Sequence, residues 1–423
     1  MNIAHIIVAF VILLGLMLLN FPIYTAILSS GLYLMVFVNH MPLQSIFTSM
    51  FEGVTNSSLM AIPFFVLAGC FISSGQLGKR LMDCFSTLLR GVRGGMPIAC
   101  LVSNALFGAI SGSPPAATAV FSKIIHGPIA REENDKMATG LVVSAAGLSS
   151  IIPPSVTMII YGVATETSIS TMFIAGILPG LLIVAIIGVY LIFASRRRAG
   201  EENKVDWKEV GSAWIRGIPV LILPVAVLGG IYGGFVTPTE AGALSAIYCC
   251  AASLLMRDIR PQDVLRVLKE GLHTVGQVFI LIASSAFFAR ALTVSQFPQW
   301  LTSYFEDYGK IQFLLLLNIL LLVVGCFFDT SAAILILAPM LLPPALALGI
   351  DQIHLGIIFV VNLVIGMFTP PFGLNIFVAQ SVLGYDMKYI SKCLIPYILL
   401  YIVAVLIITF VEPISTFLPG LLA

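Results

Sequence analysis

Charge is what this sequence has least of. Only 10% of its 423 residues are Asp, Glu, Lys or Arg, against 59% hydrophobic residues and a mean hydropathy of +1.05. Soluble domains carry about 25% charged residues, so the chain reads as an integral membrane protein. A net charge of +1 offers no basic footprint for nucleic acid. Catalytic signatures are missing as well. The five histidines (His5, His40, His126, His273, His354) sit near the ends of apolar runs and form no His-Glu-x-x-His or His-x-x-His pair. No serine has a histidine partner at membrane depth. There is no Walker A motif, so the chain does not itself hydrolyse ATP, and an enzyme is not expected. The seven cysteines contain no Cys-x-x-Cys pair and read as small apolar fillers. Leu67-Ala-Gly-Cys70 resembles a lipoprotein cleavage box but lies far from the N-terminus. The first apolar run has no positive segment before it, which marks a retained helix rather than a cleaved signal.

Against this background, one polar interruption organises the rest. Gly147-Leu-Ser-Ser-Ile-Ile-Pro-Pro-Ser-Val-Thr-Met-Ile-Ile-Tyr161 places Pro153-Pro154, flanked by Ser149, Ser150, Ser155 and Thr157, inside a long apolar run. Proline removes an intrahelical bond and clashes with the preceding turn, and it biases the residue before it toward extended geometry. In hydrocarbon each freed polar group costs several kcal/mol, so such a break belongs where it lines a cavity or holds an ion. The device recurs in Gly366-Met-Phe-Thr-Pro-Pro-Phe-Gly-Leu-Asn-Ile-Phe377, 217 residues later. The same offset carries Ser111-Gly-Ser-Pro-Pro-Ala-Ala-Thr118 onto Phe328-Asp-Thr-Ser-Ala-Ala-Ile-Leu335, with Gly112 opposite Asp329. An offset of 216 carries Phe21–Ser29 onto Thr237–Ser245. Three matches in one order imply an internal repeat of half the chain.

Apolar runs of spanning length, about 20 residues, fall near 3–20, 22–39, 57–76, 135–165 (broken), 170–194, 217–236, 238–256, 272–294, 355–383 (broken) and 389–411. Segments 97–127 and 311–348 are interrupted at their middles, and each half is too short for a comfortable crossing. They read as re-entrant hairpins. Placing Arg196-Arg197-Arg198 in the cytoplasm puts 19 of the 21 Lys and Arg there, leaving Arg290 and Lys310 outside. The first hairpin then enters from the cytoplasm and the second from outside. The expected fold is therefore an all-α polytopic membrane protein: an inverted repeat of about ten transmembrane helices plus two re-entrant hairpins, in the manner of elevator-type ion transporters. Lys79–Arg90 and Pro261–Lys269 are amphipathic at helical spacing and read as paired interfacial arms. The resulting division is 1–96 scaffold with the first arm, 97–195 first half of a transport domain, 196–216 cytoplasmic linker, 217–310 scaffold with the second arm, and 311–423 second transport half.

Asp329, at a hairpin tip inside an apolar run, is the strongest intramembrane charge; its plain alternative is a cap on the following helix. Glu166 and Glu240 lie near segment ends, where water or headgroups reach them. Two broken helices and two tips bring half-helix ends toward the midplane. Carbonyl ends suit a cation and amide ends a carboxylate. Hard oxygen donors with few carboxylates suggest Na+. One such ion crossing 100 mV supplies about 2.3 kcal/mol. The repeat predicts matched Na+ sites, two or more ions in all. One draws on Ser103, Asn104, Gly108, Ser111, Ser113, Gly147, Ser149, Ser150 and Pro153, the other on Gly325, Asp329, Thr330, Gly366 and Thr369.

Ala61-Ile-Pro-Phe-Phe-Val-Leu-Ala-Gly69, Ser111-Gly-Ser113, Ile151-Ile-Pro-Pro-Ser155, Thr237-Pro-Thr-Glu-Ala-Gly242 and Thr369-Pro-Pro-Phe-Gly373 with Asn375 run in order through nearly the whole chain. In these the sequence resembles the large membrane subunit of tripartite ATP-independent periplasmic (TRAP) transporters. One departure is Pro114-Pro115, where that family usually has small or hydroxyl residues. The resemblance implies a Na+-coupled importer of organic acids, such as C4-dicarboxylates or sialic acid, in the bacterial inner membrane. It also implies a periplasmic substrate-binding protein, a small four-helix membrane subunit expected here as a separate chain, and an elevator mechanism. The substrate carboxylate is expected between the tips, against Ser113, Thr118, Ser155, Thr157, Thr330, Ser331, Gly373 and Asn375. A stand-alone Na+- or H+-coupled carboxylate carrier shares this plan and stays open. A channel would need a continuous polar pore, whereas the polar residues here cluster at two breaks.

Overall fold

The computed structural model describes residues 3–19, 21–42, 44–195, 205–305 and 309–422. Among them there is no strand, and the chain folds as 21 α-helices. The first repeat opens with α1 (Ile3–Leu18), α2 (Ile23–Leu34, running into a π turn at Met35–Asn39), α3 (Gln44–Val54) and α4 (Ala61–Ser74, preceded by a 3-10 turn). The amphipathic α5 (Leu77–Leu88) follows, then α6 (Gly95–Ser111) and α7 (Pro114–Ile124), which form the first hairpin. After α8 (His126–Glu132) comes the broken helix, α9 (Asp135–Ala145) and α10 (Val156–Ala164), and then α11 (Ile169–Ala194).

The second repeat has α12 (Trp207–Tyr232), α13 (Pro238–Leu255), α14 (Pro261–Val294) and α15 (Phe297–Phe305). The second hairpin is α16 (Lys310–Phe327) and α17 (Thr330–Ala347), and the second broken helix is α18 (Gln352–Met367) and α19 (Leu374–Leu383). The chain closes with α20 (Met387–Phe410) and α21 (Pro413–Leu422). The molecule is an all-α polytopic membrane protein, with seven helices among the described residues long and apolar enough to cross a bilayer by length and composition.

The hairpins enter from opposite sides, and α11 is the measure. Its 26 residues extend about 39 Å, longer than the roughly 30 Å hydrocarbon core. At its C-terminal end Arg93, just before the first hairpin, donates to the Ser195 carbonyl (3.1 Å). At its N-terminal end Gln352, just after the second hairpin, donates to the Thr165 carbonyl and the Thr167 hydroxyl (both 2.6 Å). Lys310 Nζ reaches the Gly349 carbonyl (3.3 Å), so the second hairpin leaves on the side it entered.

Several expectations change at the level of single elements. Each half of the second hairpin is a mainly apolar helix of 18 residues, long enough to cross, so closure of its base, not shortness, makes it a hairpin. The second arm is no separate element. Pro261–Lys269 continues into the membrane helix as one 34-residue α14, because no Gly or Pro interrupts the junction until Gly271 and its helical phase runs through unbroken. The expected linker is partly helical: α12 begins at Trp207, and Trp214 packs edge-on against Phe85 of α5. Arg196–Arg198 and Lys204, which oriented the topology, lie outside the described residues.

The repeat is visible in backbone packing. A Cβ on Gly108 of α6 would stand 2.4 Å from Ser149 Cα, at the first break. At the 217-residue offset, a Cβ on Gly366 would stand 2.1 Å from the Gly325 carbonyl carbon. Each hairpin thus lies backbone to backbone on its broken helix, a contact only glycine permits. The Pro153–Pro154 and Pro370–Pro371 bonds are both cis. At the tips the register slips by one. Helices end at Ser111 and Phe327 and restart at Pro114 and Thr330, so Ser113, not Gly112, is the structural counterpart of Asp329. Both are helix N-caps.

Candidate functional site

The tips are built by capping. Gly112 turns the chain out of α6 at φ +57°, which glycine adopts without steric cost. Ser113 then accepts from the Ala116 amide, and Pro114-Pro115 occupy the first helical turn, where a missing N–H costs nothing. In the second tip the Asp329 carboxylate accepts from the Ser331 amide (2.9 Å). The first break is closed by the Ser155 hydroxyl, which donates across it to the Ser150 carbonyl (2.7 Å). The two breaks also cross each other, since Gly147 abuts Val364 and Phe368.

Between these parts lies a cavity of about 440 Å3. The first tip (Ser111–Ala116), the second tip (Asp329–Ser331) and both breaks (Ser150, Val156 and Thr157; Met367 and Leu374) form one wall. One face of α4 (Val66, Gly69, Cys70, Ser73, Ser74) and one face of α14 (Glu270, Thr274, Val278) form the other. No Lys or Arg lines it among the described residues. Three hydroxyls in it are buried without a protein partner: Ser150 Oγ and Thr330 Oγ1 on the first wall, in residues 1% and 3% exposed, and Ser73 Oγ on the second. A buried polar group left so costs about 1–3 kcal/mol, which a ligand or ion relieves. Among the described residues no group of three His, Cys, Asp or Glu is placed to hold a metal ion. A cation here would find hydroxyl, amide and carbonyl oxygens and the single carboxylates of Asp329 and Glu270.

The sequence model of the tripartite ATP-independent periplasmic transporter family, DctM component, matches residues 10–414. The chain belongs to this family. It is 38% identical, over 89% of its own length and 90% of the relative's, to the C4-dicarboxylate TRAP transporter large permease protein DctM of Pseudomonas aeruginosa. It is 35% identical to the isethionate TRAP transporter permease protein DctMQ of Oleidesulfovibrio alaskensis, covering 94% of this chain and 64% of that protein. In fold it is similar to the crystal structure of the YdaH transporter of Alcanivorax borkumensis, with TM-score 0.62 at 15% identity over 88% of this chain and 90% of that one. Membership makes it a transporter permease of the membrane. The family works with a periplasmic binding protein and a small membrane subunit.

Within a TRAP permease the expected site residues sort into three groups. Ser111, Ser113, Ser150, Thr157, Asp329, Thr330 and Ser331 line the cavity. Behind it, fully buried, lie Ser103, Asn104 and Ser149. Ser103 Oγ and Asn104 Oδ1 have no protein partner, while Ser149 turns to the Ala146 carbonyl. Gly108, Gly147, Gly325 and Gly366 act as close-approach points, and Thr369 donates to the Ile365 carbonyl (2.6 Å). Pro153 sits inside the break. Four of the expected substrate residues do not line the cavity. Thr118 folds back on the Pro114 carbonyl (2.9 Å), and Ser155 is spent bridging the break. Gly373 packs against Met367 and Thr369. Asn375 is fully buried and donates to the Val143 carbonyl of α9 (3.5 Å).

Sequence reasoning missed the scaffold wall. Val66, Gly69, Cys70 and Ser73 recur at steps of three and four, and Glu270, Thr274 and Val278 at steps of four. Each set is one helical face. A larger space of about 970 Å3 opens at the other end of the crevice, between Asn56–Ser58, Gly162–Ser170 and Thr237–Glu240. Neither tip reaches it. Glu240 is spent there on a capping box with the Thr237 amide (2.8 Å) and hydroxyl (2.9 Å), while Glu166 lines it from the turn between α10 and α11.

Proposed function

We propose that this permease imports an organic acid, a C4-dicarboxylate, sialic acid or a similar carboxylate, together with two or more Na+ ions across the bacterial inner membrane. A periplasmic binding protein delivers the substrate, and a small membrane subunit widens the scaffold. The observation that carries the reading is the cavity into which both tips, both breaks and two scaffold helices converge. Its hairpin wall offers hydroxyls and the amide start of α17, groups that receive a carboxylate; α7 opens on Pro114-Pro115 and adds hydroxyls alone. Behind that wall, the unpartnered oxygens of Ser103 and Asn104 suit a small hard cation.

The scaffold residues at the cavity precede α5 and follow the charged start of α14, so they belong to the cytoplasmic half. The cavity corresponds to the inward-facing state, and the hairpins with their broken helices slide past α4 and α14 to reach the other face. Reconstitution with the small subunit and the binding protein tests this. Succinate, sialic acid and related acids are supplied outside under an inward Na+ gradient. Uptake that collapses when choline replaces Na+ supports the reading. Uptake indifferent to Na+ removes the coupling, and uptake unchanged without the binding protein returns the stand-alone carrier.

A further inference from the structure

The cavity is chemically two-sided. On the hairpin side are the unpartnered Ser150 and Thr330 hydroxyls and the Ser111, Ser113 and Ser331 side chains. Facing them on α14 are Glu270 and, one turn on, Thr274. Glu270 is exposed within the cavity and has no ion-pair or hydrogen-bond partner for its carboxylate among the described residues. It stands about 14 Å into α14, at a rise of 1.5 Å per residue, next to Cys70 across the seam that Gly271 closes against Leu67. The second acid in the cavity, Asp329, already accepts the Ser331 amide. Glu270 is therefore the free carboxylate of the scaffold wall, beside the unpartnered Ser73 hydroxyl and opposite a donor-rich wall, in a cavity lined, among the described residues, by no Lys or Arg that would neutralise a second substrate carboxylate.

We infer that Glu270 is a specificity-determining residue of the permease itself: it accepts a hydrogen bond from a hydroxyl or ammonium group of a substrate whose single carboxylate docks on the hairpin tips. The inference rests on the proposed role of this cavity. A donor-bearing monocarboxylate then satisfies both walls at once. A plain dicarboxylate sets its second charge against Glu270, and like charges brought close together repel, the more so once the bound substrate displaces water between them.

The test reads the permease without the binding protein's own selectivity. Cys70 lines the same cavity. In the purified complex with the small subunit, the alkylation of Cys70 by N-ethylmaleimide is followed by peptide mass spectrometry in Na+. Gluconate, ectoine and succinate are titrated as protectants, for the native protein and for Glu270→Gln. Native protein should be protected by gluconate or ectoine at concentrations at least tenfold below succinate. Glu270→Gln should erase that preference by weakening gluconate and ectoine about tenfold, consistent with a charge-assisted bond, and by tightening succinate. A native protein that succinate protects as well as the donor-bearing acids overturns the inference, as does an unchanged ratio in the variant; both leave the cavity's role intact. Protection by none of the acids overturns that role and the inference with it. An equal melting temperature for the two proteins certifies the fold of the variant.

Discussion

Gly69 is the place where scaffold and transport elements touch backbone to backbone, and a single methyl there separates sliding from fixed packing. A Cβ on Gly69 would lie 2.6 Å from the Ser111 carbonyl oxygen and 3.0 Å from Ser111 Cα. Ordinary C···O contacts run at about 3.3 Å, so α4 and the first tip must part by roughly 0.7 Å. Overpacking of this kind costs about 1–3 kcal/mol. If the tip slides along α4 during transport, the strain is confined to this state. Gly69→Ala should then shift the population away from it by about five- to 150-fold at 1.4 kcal/mol per tenfold. Uptake should fall while the melting temperature hardly moves. Gly108→Ala and Gly366→Ala introduce clashes inside the transport elements, at 2.4 and 2.1 Å, which no sliding relieves. Those two should lower the melting temperature outright. Equal thermal losses for Gly69→Ala and Gly366→Ala would refute the reasoning, because α4 and the tip would then be one fixed body.

The inverted repeat also gives the destination of the tip. The second tip shares the cavity with Val278 of α14, whose counterpart in α4, 216 residues earlier, is Ile62. If the repeats exchange roles, Ser111 moves from Gly69 to the level of Ile62. Seven residues of helix make that about 10 Å, at 1.5 Å each. Ser73→Cys with Ser111→Cys, which line the same cavity, should cross-link through a short reducible bifunctional reagent in this state and stop uptake reversibly. Ile62→Cys with Ser111→Cys should cross-link only when outside substrate and Na+ are supplied. Failure of the second pair under all conditions would remove the slide.

Three further outcomes follow from the structure. Asp329→Asn keeps an N-cap acceptor for Ser331 but removes the charge, so the Na+ concentration for half-maximal uptake should rise several-fold with little change in stability; unchanged Na+ dependence excludes Asp329 from ion binding. Arg80 pairs with Asp258 (2.7 Å), whose side chain is 3% exposed, tying α5 to the turn before α14. Arg80→Ala leaves a buried carboxylate unpaired and should cost about 3–5 kcal/mol in thermal or denaturant unfolding, largely restored by adding Asp258→Asn. His126, the first residue of α8, bonds the Thr139 hydroxyl (3.0 Å). Burial pushes its imidazole below the ordinary range, a shift partly offset by Asp135. The unfolded chain therefore binds the proton first, and stability should fall as pH drops below about 6.5. A melting temperature flat from pH 7 to 5, or an equal slope in His126→Gln, contradicts that role.

What was legible in the sequence shares one property: it violates the apolar background. Pro153-Pro154 and Pro370-Pro371 break helices whatever surrounds them, and their equal spacing announces the repeat before any packing is known. The tips were legible for the same reason, because Ser113 and Asp329 are polar where hydrocarbon demands otherwise. Residues that obey local rules while facing an unexpected side stayed hidden. Thr118 and Asn375 sit within a turn of the cavity, yet a threonine in a helix can satisfy itself on the carbonyl four residues back, and Thr118 does so. Direction within a turn depends on packing partners hundreds of residues away, such as Val143 for Asn375. The scaffold wall stayed hidden through ambiguity. Cys70, Ser73 and Ser74 near the end of α4, and Glu270 and Thr274 soon after a charged arm, look like ordinary interfacial polarity. Only the tertiary fold separates a polar face turned to water at the membrane surface from one turned to a cavity. Here the unbroken α14 carries the charged stripe of its arm straight onto the site, so the arm and the scaffold wall are two ends of one helical face.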